Sequence, residues 1–157
     1  MRIKLLLVGK TADAYLEDGI GIYEKRLKNY IGLDIVVIPD VKNAKNMSKE
    51  QLMQREAELI LKEINPQDTF VLLDERGTQH TSVEFARYIE KCMIDSVQTL
   101  IFLVGGAYGA HETVKNRANK KLSLSAMTFS HQMARLFFVE QLYRAFSIIR
   151  GEPYHHE

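Results

Sequence analysis

The sequence contains one cysteine, three prolines and no tryptophan among 157 residues, and its formal net charge is only +1. The single cysteine, Cys92, excludes an intramolecular disulfide and favours a reduced compartment, which we expect to be the cytoplasm. The near-neutral charge lacks the strong basic excess typical of nucleic-acid-binding domains. With 46% hydrophobic and 26% charged residues, the composition excludes disordered and collagen-like chains and predicts a folded globular protein.

Long apolar runs are also missing. The first run, at 5–8, is far shorter than the roughly 20 residues of a membrane span, so we expect no membrane contact. A chain of this length predicts one domain covering 1–157.

Acidic residues are absent from the whole segment 113–139. The basic residues within it are Lys115, Arg117, Lys120, Lys121 and Arg135. Clustered charges of one sign reinforce one another, which allows a local positive field. The alternative is an ordinary solvated surface, and charge alone favours it.

Apolar runs alternate with helical patterns along the entire chain. Strands are predicted at 3–8, 33–38, 69–73, 100–104 and 122–124, and an amphipathic helix at about 15–30 separates the first two. Two capping-box patterns, Ser48 with Gln51 and Thr81 with Glu84, predict helices that end near 64 and 94. A turn is predicted at Arg76 and Gly77. The alternation predicts an α/β fold with a mostly parallel sheet flanked by helices.

The last helix is predicted to be the longest. Apolar residues recur in it at spacings of three and four, which predicts a core-facing side, with Arg135 and Arg144 largely elsewhere. Phe138 and Val139 widen the apolar surface beyond one face. We therefore expect them to meet a partner surface such as a second copy of the chain.

Several familiar motifs fail. Gly9, Lys10 and Thr11 resemble the end of a phosphate-binding P-loop, but Lys4 stands where its first glycine is required. The five histidines and one cysteine offer no pair at zinc-ligand spacing, so we expect no metal site. The motif Gly-x-Ser-x-Gly of acyl-transfer enzymes is absent.

A glycine-rich segment at 105–109 follows the most apolar predicted strand. Ligands of open α/β sheets bind at the carboxyl ends of strands, where glycine lets the backbone approach them closely. Val104 replaces the first glycine of the dinucleotide fingerprint, which argues against a nicotinamide site. The segment is therefore either a cofactor loop or a plain turn.

Several segments together resemble the RlmH family of SPOUT-class ribosomal RNA large-subunit methyltransferases. They are LVGGAYG at 103–109, LSLSAMTFSHQMAR at 122–135, EQLYRAF at 140–146 and PYH at 153–155, with further matches at 8–10, 23–26, 38–39 and 73–77. The resemblance covers essentially the whole chain in the right order. It departs from the family at Ser130, where we expect proline.

This resemblance implies a homodimer that uses S-adenosyl-L-methionine to methylate N3 of the pseudouridine at position 1915 of 23S rRNA. It also implies a C-terminal trefoil knot, which physical reasoning alone would not have proposed because threaded chains are so rare. The implied partners are a second copy and 23S rRNA, with the ribosome as the expected substrate.

Carried over by position, the cofactor site of the family falls at the ends of two strands and in one following segment. The implied cofactor-binding residues are Leu73, Gly105, Leu124, Ser125, Ala126, Met127, Thr128 and Phe129. Taken singly, Leu73 would be read as a core leucine, and Ser125 and Thr128 as turn residues.

The implied catalytic residues are Glu140, Arg144, Tyr154 and His155. The resemblance assigns Arg144 to phosphate or imide-oxygen contact, Tyr154 to base stacking, and His155 to RNA contact or proton transfer. From spacing alone, Glu140 and Arg144 form an ion pair on one helix face. Without the resemblance, the segment at 154–155 would be read as a frayed end.

Two rival functions remain open at this point. One is a non-enzymatic RNA-binding or ribosome-associated module that uses the basic segment and the terminal aromatic residue. The other is a SPOUT methyltransferase that acts on tRNA, which would share the cofactor site and differ only in substrate.

Overall fold

The computed structural model describes residues 1–156. Its strands are β1 (Arg2–Val8), β2 (Gly32–Ile38), β3 (Thr69–Gln79), β4 (Thr99–Val104) and β5 (Lys120–Ser123). Its α-helices are α1 (Ala14–Leu27), α2 (Lys49–Lys62), α3 (Ser82–Ile94), α4 (Glu112–Arg117) and α5 (His131–Ile149), and a short 3-10 helix covers Ala44–Asn46. Within 1–156, no helix is long and apolar enough to cross a lipid bilayer.

The strands form one sheet in the order β2-β1-β4-β3-β5, and every neighbouring pair is parallel. The predicted α/β class is confirmed. Because the strands are parallel, their carboxyl ends lie at one edge of the sheet, where ligands of such folds bind. The trefoil knot stays a prediction of the resemblance.

The two faces of the sheet carry separate apolar clusters. Side chains alternate along β1, so that Leu5 and Leu7 pack with α1, α3 and α5, while Leu6 and Val8 pack with α2 and α4. Burial on both faces explains why the strands consist of nearly continuous apolar residues.

Both predicted capping boxes are confirmed. The side chain of Ser48 accepts a hydrogen bond from the backbone of Gln51, whose own side chain accepts one from Ser48 N. Thr81 and Glu84 form the same reciprocal pair at the start of α3. These caps satisfy N–H groups that the first helical turn leaves unpaired, so they fix where each helix begins.

The predicted turn at Arg76 and Gly77 is wrong, because β3 continues through both residues to Gln79. The pairing register between β3 and β5 shifts between Leu73 and Thr78, and both pair with Leu122. The residues between them therefore form an irregularity rather than a reversal of the chain. A Cβ on Gly77 would lie 2.7 Å from backbone atoms of Leu122.

The prediction that Phe138 and Val139 face a partner is also wrong. Both are fully buried in the chain's own core, and the ring centroid of Phe138 lies 4.7 Å from that of Phe102 in β4. Phe137 is the exposed residue of this stretch, with 40% of its surface accessible. Helix α5 packs against α1, α3 and the sheet. More than one of its faces is therefore buried within the chain, whereas the helix periodicity predicted a single core-facing side.

Arg135, predicted to lie away from the core, is completely buried. Its Nη2 donates to the carbonyl of Val8 at 2.6 Å, and its Nη1 donates to the carbonyl of Gly9 at 2.9 Å and to Thr11 Oγ1 at 3.1 Å. The guanidinium therefore holds the carboxyl end of β1 against the first turns of α5.

We expect Gly77→Ala to destabilise the protein by about 1–3 kcal/mol, because the new methyl group would push β5 away from β3. Gly21→Ala is the matched control: a Cβ there meets no atom within 4 Å, and alanine favours the helix by about 0.5–1 kcal/mol. Urea unfolding of both variants measures the difference. A Gly77→Ala variant that is as stable as the wild type, or more stable, would contradict the close approach of Gly77 to the backbone of Leu122.

Candidate functional site

A cavity of about 560 Å³ lies at the carboxyl ends of β4 and β5, beside the irregular middle part of β3. Its wall is formed by residues after β4, by the irregular part of β3, and by the segment that joins β5 to α5. The volume is within the range of about 300–1,000 Å³ that small-molecule sites occupy. The parallel sheet thus places a ligand-sized cavity at the edge that the sequence predicted.

Seven of the eight predicted cofactor-binding residues line this one cavity. They are Leu73, Gly105, Leu124, Ser125, Met127, Thr128 and Phe129. Ala126 is not among the lining residues. The structure therefore brings together residues from three separate parts of the chain.

The segment between β5 and α5 is held by short-range hydrogen bonds. Ser123 Oγ donates to the carbonyl of Ser125 at 3.0 Å, and Ser125 Oγ accepts from Met127 N at 2.9 Å. Ser130, which stands where the family resemblance predicts proline, is the N-cap of α5 and accepts from Met133 N at 3.1 Å. Its φ of −60° is also the value that proline adopts, so serine keeps the same turn and adds a cap.

The glycine segment after β4 leaves space in the cavity. A Cβ on Gly105 would have its nearest neighbour at 3.7 Å, in ordinary contact with Gly109. Glycine at position 105 therefore keeps the cavity open and is not needed to avoid backbone strain. This favours the cofactor-loop reading of the segment over the plain-turn reading.

His131 and Ala134 bring the start of α5 into the cavity wall. Burial lowers the pKa of His131, and the nearby positive charge of Arg135 lowers it further. The imidazole therefore favours its neutral form at pH 7, in which one ring nitrogen can accept a hydrogen bond.

Sequence reasoning missed several polar lining residues. Asp74, Glu75 and Arg76 line the cavity from the irregular part of β3, and Lys49 and Lys115 contribute from α2 and α4. The segment 73–77 carries part of the family resemblance, but the resemblance assigns only Leu73 of it to the site. Nothing in the local sequence around Lys49 indicated a site.

The four predicted catalytic residues form a second cluster. Glu140 Oε1 accepts from Arg144 Nη2 at 2.5 Å, from Arg144 Nε at 3.1 Å and from the Tyr154 hydroxyl at 3.1 Å. Arg144 Nη1 lies 3.3 Å from His155 Nδ1. The ion pair expected from spacing alone is present, and the C-terminal segment folds back onto it.

The C-terminal segment, residues 152–155, is packed rather than frayed. The Tyr154 hydroxyl lies 3.3 Å from that of Tyr23 in α1, and the two rings of Tyr154 and Tyr143 meet edge to face at 4.7 Å. Earlier in the same segment, the carboxylate of Glu152 accepts a hydrogen bond from the hydroxyl of Tyr30. Sequence reasoning missed the support from Tyr23 and Tyr30 because both lie more than 100 positions away in the sequence.

The cluster has a defined charge state. Burial and the hydrogen bond with Tyr23 raise the pKa of Tyr154 well above its ordinary value, so Tyr154 is a neutral phenol at pH 7. The hydrogen bond with Glu140 raises the pKa of Arg144, which stays cationic. Arg144 also lies 4.7 Å from the Tyr154 ring centroid, so one face of that ring is already occupied.

The cavity and the cluster lie apart on α5. Among residues 1–156, none of the four cluster residues belongs to the cavity wall. Ala134 lines the cavity, and Arg144 follows ten positions later, which is about 15 Å along a helix axis. The cluster packs against α1, whereas the cavity opens between β3, β4 and β5.

The chain matches the sequence profile of a family described as "Predicted SPOUT methyltransferase" over residues 1–155. Two curated relatives named "Ribosomal RNA large subunit methyltransferase H", from Flavobacterium johnsoniae and Parabacteroides distasonis, are each 51% identical to it over 157 residues and covered completely.

Solved structures share the fold. A solved structure described as "Probable Methyltransferase from Bordetella pertussis Tohama I" superimposes with a TM-score of 0.56 at 12% identity, covering 92% of this chain and 96% of that one. A second, described as "a probable methylase family protein from Haemophilus influenzae Rd KW20", gives 0.55 at 14% identity, covering 95% of this chain and 66% of that one. At these identities the likeness establishes the fold alone.

The contact between Tyr30 and Glu152 predicts a pH effect. The hydrogen bond with Glu152 raises the pKa of Tyr30 to about 12, so the folded state keeps a proton that the unfolded chain loses near pH 10. The stabilising contribution is complete below about pH 10 and is lost as the pH rises towards 12. We expect Glu152→Gln to reduce this alkaline loss of stability.

Urea unfolding between pH 9 and 12 measures the effect, and the tyrosinate absorbance of the folded protein follows the titration. Glu58→Gln, which neutralises an exposed carboxylate on α2, is the control and should leave the pH dependence unchanged. Identical profiles for wild type and Glu152→Gln would show that the C-terminal segment is not held by this contact.

Proposed function

The chain belongs to the RlmH family of SPOUT methyltransferases, and we propose that it transfers a methyl group from S-adenosyl-L-methionine to N3 of the pseudouridine at position 1915 of 23S rRNA. The observation that carries this proposal is the convergence of seven implied cofactor-binding residues on one cavity. We also propose that the chain acts in the cytoplasm on the assembled ribosome.

The residues of the cavity fit S-adenosyl-L-methionine. Leu73, Leu124 and Phe129 offer apolar surface for the adenine ring, and the Gly105 backbone can be approached closely because no side chain stands there. Ser125 and Thr128 add polar groups. When bound, this cofactor supplies an electrophilic methyl group on a sulfonium centre.

The protein's main task in such a displacement is to hold the reacting atoms together. The segment 123–130 is held from within by Ser123 and Ser125 and at its end by the cap at Ser130. These contacts keep the cavity in shape without the substrate.

The accepting N3 of pseudouridine carries a proton that must leave. Tyr154 is a neutral phenol that donates to Glu140, and one face of its ring lies under Arg144. Because the ring of Tyr143 also meets the Tyr154 ring at 4.7 Å, we propose that Tyr154 positions Glu140 and does not stack on a base. We propose that His155 Nδ1, which accepts from the Arg144 guanidinium in this structure, takes the N3 proton when the substrate replaces that contact, and that the cationic Arg144 stabilises the negative charge that develops on the imide oxygen.

A second copy of the chain is required by this assignment. In one copy, Arg144 lies about 15 Å along α5 from Ala134 of the cavity wall, too far for one nucleobase to contact both. We propose a homodimer in which the cluster of one copy faces the cavity of the other. Exposed apolar residues support such contact: Phe137 stacks on Phe129 at 4.7 Å, and Tyr15 and Ile22 are 65% and 52% exposed.

The test of the function uses ribosomes from a strain that lacks this chain. Incubation with the purified protein and S-adenosyl-L-methionine should add one methyl group at the predicted pseudouridine, located by mass spectrometry of 23S rRNA fragments. A methyl group found only in tRNA would contradict the proposed substrate. Cofactor binding with no methylation of either RNA would contradict the proposed reaction.

We expect Gly105→Val to weaken cofactor binding at least tenfold while the protein stays folded. The branched side chain would occupy cavity space, whereas the Cβ itself meets only ordinary contacts. Calorimetric titration with S-adenosyl-L-methionine measures the affinity. Gly21→Val makes the same change in open space on α1 and should bind normally. Unchanged affinity in folded Gly105→Val would remove Gly105 from the site.

A further inference from the structure

A tight turn at the cavity presents one aromatic side chain to solvent. Gly109 N donates to the carbonyl of Gly106 at 3.0 Å, so Tyr108 occupies the third position of a four-residue turn. The φ of Gly109 is +79°, which glycine adopts readily and which allows the chain to leave the turn. Tyr108 is 54% exposed, yet it lines the cavity, so its ring stands at the rim.

Lys49 lies beside this ring and also lines the cavity. Its Nζ is 5.2 Å from the ring centroid of Tyr108, within the range of a cation–π contact. Lys49 is the first residue of α2, whose start is fixed by the capping box of Ser48 and Gln51. The pair is therefore presented by a capped helix and a hydrogen-bonded turn.

A second contact joins the same two parts of the chain. Glu50 Oε1 lies 3.0 Å from His111 Nε2, and His111 caps α4 by accepting from Thr113 N. Glu50 follows Lys49 directly, and His111 comes three residues after Tyr108. This contact keeps the beginning of α2 against the segment that follows the turn, so the relative position of Lys49 and Tyr108 is supported from outside the pair.

The chemistry of the pair suits an unpaired nucleotide. Aromatic side chains bind single-stranded RNA by stacking on bases, and lysine ammonium groups bind the phosphates between them. Of the other charged residues on the cavity wall, Arg76 and Lys115 favour a polyanion, whereas Asp74 and Glu75 oppose it. An RNA loop that delivers a base to the cavity must pass its rim.

We propose that Tyr108 and Lys49 form a nucleotide platform, in which the Tyr108 ring stacks on an unpaired base that flanks the target and Lys49 binds the adjoining phosphate. The proposal rests on the proposed function and adds a specific substrate contact to it. The platform acts in substrate binding and takes no part in the methyl transfer itself.

The experiment compares Tyr108→Ala, Tyr108→Phe, Lys49→Ala and the control Lys62→Ala, which removes an exposed lysine at the opposite end of α2. Steady-state methylation of unmodified ribosomes gives KM and kcat, and calorimetry gives the affinity for S-adenosyl-L-methionine. Tyr108→Ala should raise KM for ribosomes by roughly 5- to 100-fold, the range of base–aromatic stacking, with kcat and cofactor affinity within twofold of wild type.

Tyr108→Phe keeps the ring and should stay within about threefold of wild type, since stacking needs no hydroxyl group. Lys49→Ala should raise KM and reduce its dependence on salt concentration, because one phosphate contact is lost. Lys62→Ala should change neither constant. Should Tyr108→Ala fail to fold, Tyr108→Leu retains an apolar side chain and makes the same comparison.

An unchanged KM for Tyr108→Ala overturns the platform, and so does weaker cofactor binding, which would place the ring in the cofactor site. Direct binding of a synthetic rRNA stem-loop by the same variants separates this proposal from the proposed function. If wild type methylates no rRNA but Tyr108→Ala still weakens stem-loop binding, the function fails and the platform stands. If Tyr108→Ala keeps both its methylation activity and its stem-loop binding, the platform is overturned and the proposed function is unaffected.

Discussion

The position of α5 is the constraint on which the rest of the site depends. The fully buried Arg135 attaches this helix to the carboxyl end of β1 through the carbonyls of Val8 and Gly9, and Gln132 adds hydrogen bonds to Lys10 and Ala12. A buried guanidinium is tolerated because both of its terminal nitrogens donate to oxygen atoms, with Thr11 as a further acceptor, whereas Nε has no partner among residues 1–156. One end of α5 is thereby fixed at the cavity, and its regular helical rise places Arg144 about 15 Å further along the helix axis than Ala134.

Local and periodic signals made much of the fold predictable. Strands buried on both faces need continuous apolar runs, and helix starts need caps, so five strands and two capping boxes could be read from neighbouring residues alone. The site at the carboxyl edge followed from the parallel sheet, and Gly105 was found from its position after β4. The individual cofactor residues came from the family resemblance, since Leu73 or Ser125 alone carries no functional signal.

Long-range packing made the remainder unpredictable. Helix periodicity assigned Arg135 to the polar side because it could not foresee carbonyl groups of β1 as partners, and it left Phe138 exposed because it could not foresee α3 and β4 around it. The close approach at Gly77 depends on how β3 and β5 meet, which is a tertiary property. Tyr154 likewise depends on Tyr23, which is distant in sequence.

In the proposed homodimer, each active site combines the cavity of one copy with the cluster of the other. Heterodimers test this arrangement most directly. One copy carries Gly105→Val, which closes its cavity, the other carries Arg144→Ala, which disables its cluster, and different affinity tags on the copies isolate the mixed species. If each site joins the cavity of one copy to the cluster of the other, one of the two sites is intact, and about half of wild-type methylation should return. Mixed dimers as inactive as either parent homodimer would contradict the account, because each site would then lie within a single copy.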